Sequence, residues 1–229
     1  MTDIILYSAP GTCGRVSTIV LEEAGLAFET RVIRFLKGEH KSPAFKEKNP
    51  KGKVPALEID GAVLTENVAI IRYLAARFPE KTLLPKTSTL AEDAEITADL
   101  CFCSATLHPL VTRIRMPQFF AGPENAQAVW KAGCDAMREY FQLVEQRLAN
   151  RPWWYGETWS AMDAYLYWVF WRVEGAEFPV KEYPCFCDHA GRMEERPSVL
   201  RAVAREDEMT AQLEAEGLVF TPPGVSAKP

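Results

Sequence analysis

Residues Lys51 to Tyr73 read KGKVPALEIDGAVLTENVAIIRY, and the fold is decided there. Val54-Pro55-Ala56-Leu57 begins like a strand but opens on a proline. Proline lacks the N–H that a ladder needs, so it is confined to strand starts, edges and bulges. Its ring also pushes the preceding Val54 toward extended backbone. The Val54 N–H and C=O are then expected to point away from the sheet. Asp60-Gly61 separates two short apolar runs, Ala56 to Ile59 and Ala62 to Leu64, which is hairpin chemistry. Thr65-Glu66-Asn67 is expected to open a helix carrying Val68, Ile71, Tyr73 and Leu74. Free N–H groups and the dipole at a helix start favour an anion. An exposed strand edge beside such a start suits a peptide with a carboxylate.

Upstream, Ile4 to Tyr7 is a short apolar strand, and Ser8-Ala9-Pro10-Gly11-Thr12 is turn chemistry. A helix follows with Val16, Ile19, Val20 and Ala24 on one face and Gly25 as its stop. Phe28 to Ile33 alternates and predicts a second strand, joined by a crossover that implies parallel pairing. Lys37 to Lys48 is a polar loop with one short helix. Residues 1–80 therefore predict β-α-β-α-β-β-α, a small α/β domain.

Downstream, Phe78 to Lys86 carries Pro79 and Pro85 and reads as a linker. Helical periodicity then takes over, so residues 88–220 predict an all-helical domain. Leu90 to Met116 is expected to be one long helix bent at Pro109. Glu124 to Ala149 is another, with Val129, Ala136, Tyr140, Phe141, Val144 and Leu148 facing inward. A strongly apolar helix runs from Trp159 through Trp171 and should form the buried centre. Ser160 and Asp163 at its start resemble a capping box, which makes Asp163 structural. Pro197 to Leu213 is the last helix, and Thr221 to Pro229 a loose tail.

The chain has 229 residues, 48% of them hydrophobic and 25% charged, enough for one or two full cores. A net charge of -5 offers no support for a nucleic-acid partner. No apolar run approaches the roughly 20 residues that cross a bilayer. Met1-Thr2-Asp3 leads straight into the first strand without a secretory n-region and h-region. Cys13, Cys101, Cys103, Cys134, Cys185 and Cys187 include two C-x-C pairs and no C-x-x-C. No histidines stand at ligand spacing beside them, so neither a metal site nor a disulfide framework is expected. The expectation is a cytoplasmic protein with mostly free thiols.

The ordered set LYSAPGTCGRVSTIVLEEAGLAFE, NPKGKVPAL, LTENVAIIRYLAARFP, TLHPL and YGETWSAMDAYLY resembles the cytosolic glutathione transferases over nearly the whole chain. The resemblance implies a thioredoxin-like first domain with a cis proline at Pro55, a helical second domain, and a homodimer. It implies glutathione as cosubstrate. Val54 would form backbone bonds with its cysteinyl part, a one-residue strand addition. Glu66 would face the γ-glutamyl ammonium, and Asn67 with the helix start its carboxylate. Lys53, His40 and Lys41 would reach the glycyl carboxylate; His40 and Lys41 fit a solvated loop equally well.

The thiolate is the nucleophile in such enzymes, so some group must stabilise it. The pattern L-Y-x-x-P-G-x-C before a helix most resembles the bacterial beta class, which places a cysteine at the position of Cys13. A helix start there is expected to lower its pKa. Thr12 is the second candidate, at the place of the serine in the theta and zeta classes, and Ser8 a third. Tyr7 stands where other classes carry a tyrosine. His108 resembles a histidine that the beta class sets near the thiol, and Asp99 is placed to reach a neighbouring subunit's glutathione. A small-molecule electrophile would meet Tyr7, Pro10, Phe102, Ala105, Arg113 and Met116. Glutathione conjugation leads, with glutathione-dependent reduction, lyase chemistry and a non-catalytic adaptor as alternatives.

Overall fold

The computed structural model describes residues 4–218. The start at Met1-Thr2-Asp3 and the tail expected at Thr221 to Pro229 lie outside the described residues. The chain divides into two compact units, residues 4–84 with 195–218, and Pro85–Glu194.

The first unit begins with β1 (Ile5–Ser8), α1 (Gly14–Glu23), β2 (Glu29–Val32) and α2 (Pro43–Lys48). It continues with β3 (Ala56–Ile59), β4 (Ala62–Thr65) and α3 (Asn67–Arg77). The sheet order is β2-β1-β3-β4. β1 runs parallel to β2, as the crossover through α1 requires, and antiparallel to β3. β3 and β4 form the expected hairpin. Asp60 and Gly61 have φ of 51° and 76°, the left-handed pair that matches the twist of a two-residue turn. Val54–Pro55 is cis.

Strand alternation sorts the side chains. Leu6, Leu57 and Ile59 are buried, as are Val16, Ile19 and Val20 of α1 and Ile70, Ile71 and Leu74 of α3. Tyr7, Ile33, Phe45 and Ala56 form a cluster joined by Val54. Of the four residues expected on α3, Ile71 and Leu74 are buried, and Val68 and Tyr73 are half-buried.

The hairpin's second strand changes one expected boundary. Thr65 pairs with Ala56 in the ladder, so it closes β4 instead of opening the helix. Glu66 then makes the turn alone, at φ 71° and ψ 125°, and α3 starts at Asn67. A left-handed φ is unusual for a side chain of this size, and such strain persists where surrounding structure holds it.

The second unit contains α4 (Leu90–Cys101), α5 (His108–Arg115), α6 (Gln118–Ala121), α7 (Ala126–Leu148), α8 (Ala161–Glu174) and α9 (Pro184–Glu194). The single bent helix expected over 90–116 is instead α4 and α5 joined by π-helix at Phe102–Leu107. Pro109 has no N–H for the carbonyl four residues back, and the wider turn takes up the missing bond before it. On α7 the inward row is Gly133, Cys134, Met137, Phe141, Val144 and Leu148. Ala136, expected inward, is exposed because it lies one step off that three-and-four row. α8 is buried nearly all round. The Asp163 carboxylate accepts from Ser160 N–H at 2.8 Å, Trp154 N–H at 2.8 Å and the Ser160 hydroxyl at 3.0 Å. It also meets the buried His189 Nε2 at 3.0 Å. Phe141 is the hub of an aromatic cluster with Phe170, Phe178, Tyr183 and Phe186.

α10 (Pro197–Ala215) was expected within the helical domain, yet it packs along α1 in the first unit. Charge explains the pairing. Glu22 of α1 accepts from Arg201 at 2.6 Å and Arg205 at 2.5 Å, and Glu23 pairs with Arg196. Arg15 pairs with Glu206 at 2.7 Å, both of them buried.

Candidate active site

The turn between β1 and α1 sets the first candidates. Gly11 has φ 73°, a conformation glycine adopts without steric cost. The Thr12 hydroxyl donates to the Ala9 carbonyl at 2.7 Å and accepts from Gly14 N–H at 3.3 Å. A hydroxyl has one proton, so that of Thr12 is committed to the turn. Ser8 is 1% exposed at the end of β1. Its Oγ lies 2.0 Å from where a Cβ on Gly14 would stand, so helix and strand touch through a missing side chain. Pro10, in the same turn, is half-buried.

Cys13 caps α1 without a side-chain bond to the helix. Its Sγ lies 3.8 Å from the Val54 carbonyl, the reach of a weak S–H donor. Burial pushes the thiol up to about 12, against the pull of the Asn67 amide; the Glu66 carboxylate adds to the rise and the Lys53 ammonium opposes it. The expected fall in pKa is therefore corrected. Withdrawing the sulfur from water costs a thiolate more than one helix start returns.

Around this thiol the structure gathers most of the expected glutathione ligands. Among the described residues, the Val54 N–H has no hydrogen-bond partner. Glu66 is exposed and accepts from Lys51 Nζ at 2.6 Å, a pairing that the sequence reading did not single out. Lys53 is exposed, and its carbonyl accepts from the Asn49 amide at 2.6 Å. Asn67 is buried with both ends of its amide engaged. Its Nδ2 donates to the Cys13 carbonyl at 2.9 Å, and its Oδ1 accepts from Ser17 Oγ at 2.7 Å. Its side chain thus pins α3 to α1, and what it offers a ligand is the N–H of a helix start.

His40 lies against Phe35, ring centroids 4.5 Å apart, with Nδ1 buried and unbonded. Burial first, and then the Lys41 charge, hold its pKa below the usual value and favour neutral imidazole. Lys41 is exposed.

Tyr7 points elsewhere. Its hydroxyl donates to Glu58 at 3.1 Å and accepts from Arg31 at 3.2 Å, and its ring meets Phe45 edge-on. It lines a cavity of about 350 Å³ with Arg31, Arg34, Glu39 and Gln212, among whose lining residues neither Cys13 nor Val54 appears. Strand alternation is the reason: Ser8, one residue on, faces α1, so Tyr7 faces α2.

In the second unit, His108 Nδ1 is 3.2 Å from the Tyr165 hydroxyl, and its ring centroid is 4.5 Å from that of Trp168. Phe102 packs against Tyr140 and Trp154. Asp99 accepts from the Trp154 indole at 2.8 Å, which gives it a structural partner inside the unit. Ala105 and Arg113 are exposed, Arg113 lying 5.9 Å from the Phe120 ring centroid, and Met116 is half-buried. The π-helical turn offsets Ala105 from the straight-helix face expected for it.

The family models "Glutathione S-transferase, N-terminal domain" and "Glutathione S-transferase, C-terminal domain" match residues 2–76 and 127–205. Glutathione S-transferase GstA of Escherichia coli O157:H7 is 30% identical over 203 residues, 88% of this chain and 98% of the relative. The chain belongs to the glutathione S-transferase family. A sphingomonad glutathione S-transferase solved in complex with glutathione is 29% identical, with a TM-score of 0.77 over 89% of this chain and 98% of that one. A bacterial beta class glutathione S-transferase from Sphingomonas chungbukensis is 28% identical, with a TM-score of 0.76 over 94% of this chain and all of that one. As a family member the chain is a transferase with a thioredoxin-like first domain.

Sequence reasoning missed two supports of the candidate site. Ser17 fixes the Asn67 amide, and Glu206 accepts from Gly11 N–H at 2.6 Å. Ser17 looks like any polar residue of an amphipathic helix. Glu206 is 195 positions from Gly11 and carries no local signal.

Proposed function

We propose that the protein binds glutathione along Val54 and transfers its sulfur to a small electrophile, with Cys13 acting as a thiol donor. The observation that carries this reading is the position and protonation of Cys13. Its Sγ lies beside the Val54 carbonyl and stays protonated at neutral pH. A protonated thiol is a poor nucleophile for disulfide exchange but can donate to a thiolate. That favours conjugation over reduction. In the reaction, glutathione loses its S–H proton to solvent. The thiolate attacks an electrophilic carbon, an S–C bond forms, and the leaving group departs with its electron pair.

The Val54 N–H and C=O hold the cysteinyl unit, next to cis-Pro55. Glu66 faces the γ-glutamyl ammonium, and the N–H groups at Asn67 receive its carboxylate. Lys53 and Lys41 face the glycyl carboxylate, while the neutral His40 contributes shape more than charge. The protein works as a cytoplasmic homodimer, a second copy covering Leu90, which is 90% exposed, and Leu143. Six free cysteines suit a reducing compartment.

Conjugation of an aromatic halide and reduction of a glutathione mixed disulfide, measured side by side, test the reading. Cys13→Ser keeps a donor and should conjugate within a few-fold of the parent. Cys13→Ala should lose about ten- to a hundredfold, the scale of one hydrogen bond to a charged group. Unchanged conjugation in Cys13→Ala removes Cys13 from the mechanism.

A further inference from the structure

We propose that Glu206, on the last helix, is a positioning residue that fixes the Pro10–Cys13 turn and so sets the sulfur end of the glutathione site. The inference rests on the reading of that turn as the thiol end. Glu206 Oε1 accepts from Gly11 N–H at 2.6 Å, and Oε2 accepts from Arg15 Nε at 2.7 Å. One carboxylate thereby bridges the turn before Cys13 and the helix turn after it. Glu206 is 8% exposed and Arg15 7%. A buried charge pair is held where its hydrogen bonds are complete, and removing one partner is costly.

The bond to Gly11 differs from the rest of the α1–α10 seam. The other ion pairs, on Glu22 and Glu23, lie at the far end of α1, where Arg201 also donates to the Glu22 carbonyl at 3.0 Å. Glu206 alone among these partners takes a main-chain N–H, at the residue with left-handed φ. From Gly11 the chain runs through the Thr12–Ala9 bonds to Cys13 and its contact with Val54. Turning Gly11 turns the peptide that carries the donor. A reacting group displaced by about 1 Å can cost on the order of a hundredfold in rate.

Four full-length proteins separate positioning from simple bracing: the parent, Glu206→Ala, Glu206→Gln and Arg201→Ala. Glu206→Gln keeps an acceptor for Gly11. Arg201→Ala weakens the seam without touching the turn. All are compared below their unfolding temperatures. The Gly11 amide should exchange slowly in the parent, Glu206→Gln and Arg201→Ala, and much faster in Glu206→Ala. In Glu206→Ala, kcat should fall about tenfold or more, with a smaller change in KM for glutathione. The acid limb of its pH–rate profile should move to higher pH. Glu206→Gln should restore most of the rate. A rapidly exchanging Gly11 amide in the parent overturns the proposal whatever the variants do. So does a Glu206→Ala protein with parental kcat and pH profile, or an Arg201→Ala protein that loses as much. If the parent conjugates nothing, the functional reading falls, and Gly11 exchange still decides whether Glu206 holds the turn.

Discussion

At the scale of single residues, Cys13 shows how position and environment compete. Its place at a helix start predicts an easily ionised thiol, while its burial beside Val54 and Asn67 keeps it protonated. Because its folded pKa is raised, the unfolded chain releases this proton first. The stability that Cys13 contributes is therefore complete below about 9, the ordinary thiol value, and is lost as pH rises through about 12. Unfolding free energy measured against pH should show the parent declining relative to Cys13→Ala only on that alkaline side. At neutral pH a small alkylating reagent should label the exposed Cys101 well before the half-buried Cys13; equal labelling would contradict the protonated thiol. Glu66 makes a second residue-scale case. It is exposed, carries a left-handed φ and leans on Lys51. Glu66→Ala should weaken glutathione binding, read by calorimetric titration, with little change in unfolding temperature, since an exposed ion pair contributes about 0–1 kcal/mol.

At the scale of elements, the β1–α1 contact is the most sensitive to a single methyl. A Cβ on Gly14 would meet Ser8 Oγ at 2.0 Å, Ser8 Cβ at 3.0 Å and Thr12 Oγ1 at 3.2 Å. Gly14→Ala should cost about 1–3 kcal/mol in denaturant unfolding, the range for overpacking a tight contact. Ser8→Ala in the same chain should return part of it, because the nearest clash disappears. In the helical unit, Phe141→Ala should cost about 3–5 kcal/mol, since four aromatic rings lose their common neighbour. A much smaller loss would mean that the cluster closes over the gap. These elements also show what a sequence makes legible. The hairpin at Asp60-Gly61 and the crossover through α1 are local patterns, and both stand. So does the cap of Ser160 and Asp163, three residues apart. The π-helical turn before Pro109 is not legible, because a proline announces a disturbance but not which carbonyl rearranges. At the candidate site, Val54, Glu66 and Asn67 are proposed from one contiguous stretch of sequence. The commitments of the Thr12 hydroxyl and the Asn67 amide depend on side-chain directions that residue types leave open.

At the scale of the molecule, the first unit is closed by the far end of the chain. α10 supplies Arg196, Arg201, Arg205 and Glu206 to the charges of α1. A chain ended after Glu194 keeps the whole sheet and the helices Ala126–Leu148 and Ala161–Glu174, yet takes Arg201 and Arg205 away from the buried Glu22. An uncompensated buried charge costs about 3–5 kcal/mol, enough to threaten a unit of this size. Hydrogen exchange on that shortened chain should find β1 and β3 amides unprotected while α7 and α8 stay protected. Equal protection of β1 in both lengths would show that the sheet closes without its last helix. Nothing near residues 1–80 signals this dependence, because the acidic pair Glu22-Glu23 reads as an ordinary solvated helix end until α10 is seen against it.

That closure bears on how the protein is made. A ribosome releases the βαβ half before α10, with the whole Pro85–Glu194 unit emerging in between. During that interval the nascent chain carries its sheet and an α1 that packs on α3 and β1 but lacks its α10 partner. The helical unit, contiguous in sequence, can mature while the first unit waits. Newly made protein should therefore acquire protease resistance from the middle outward, and glutathione affinity only after the last helix is free of the exit tunnel.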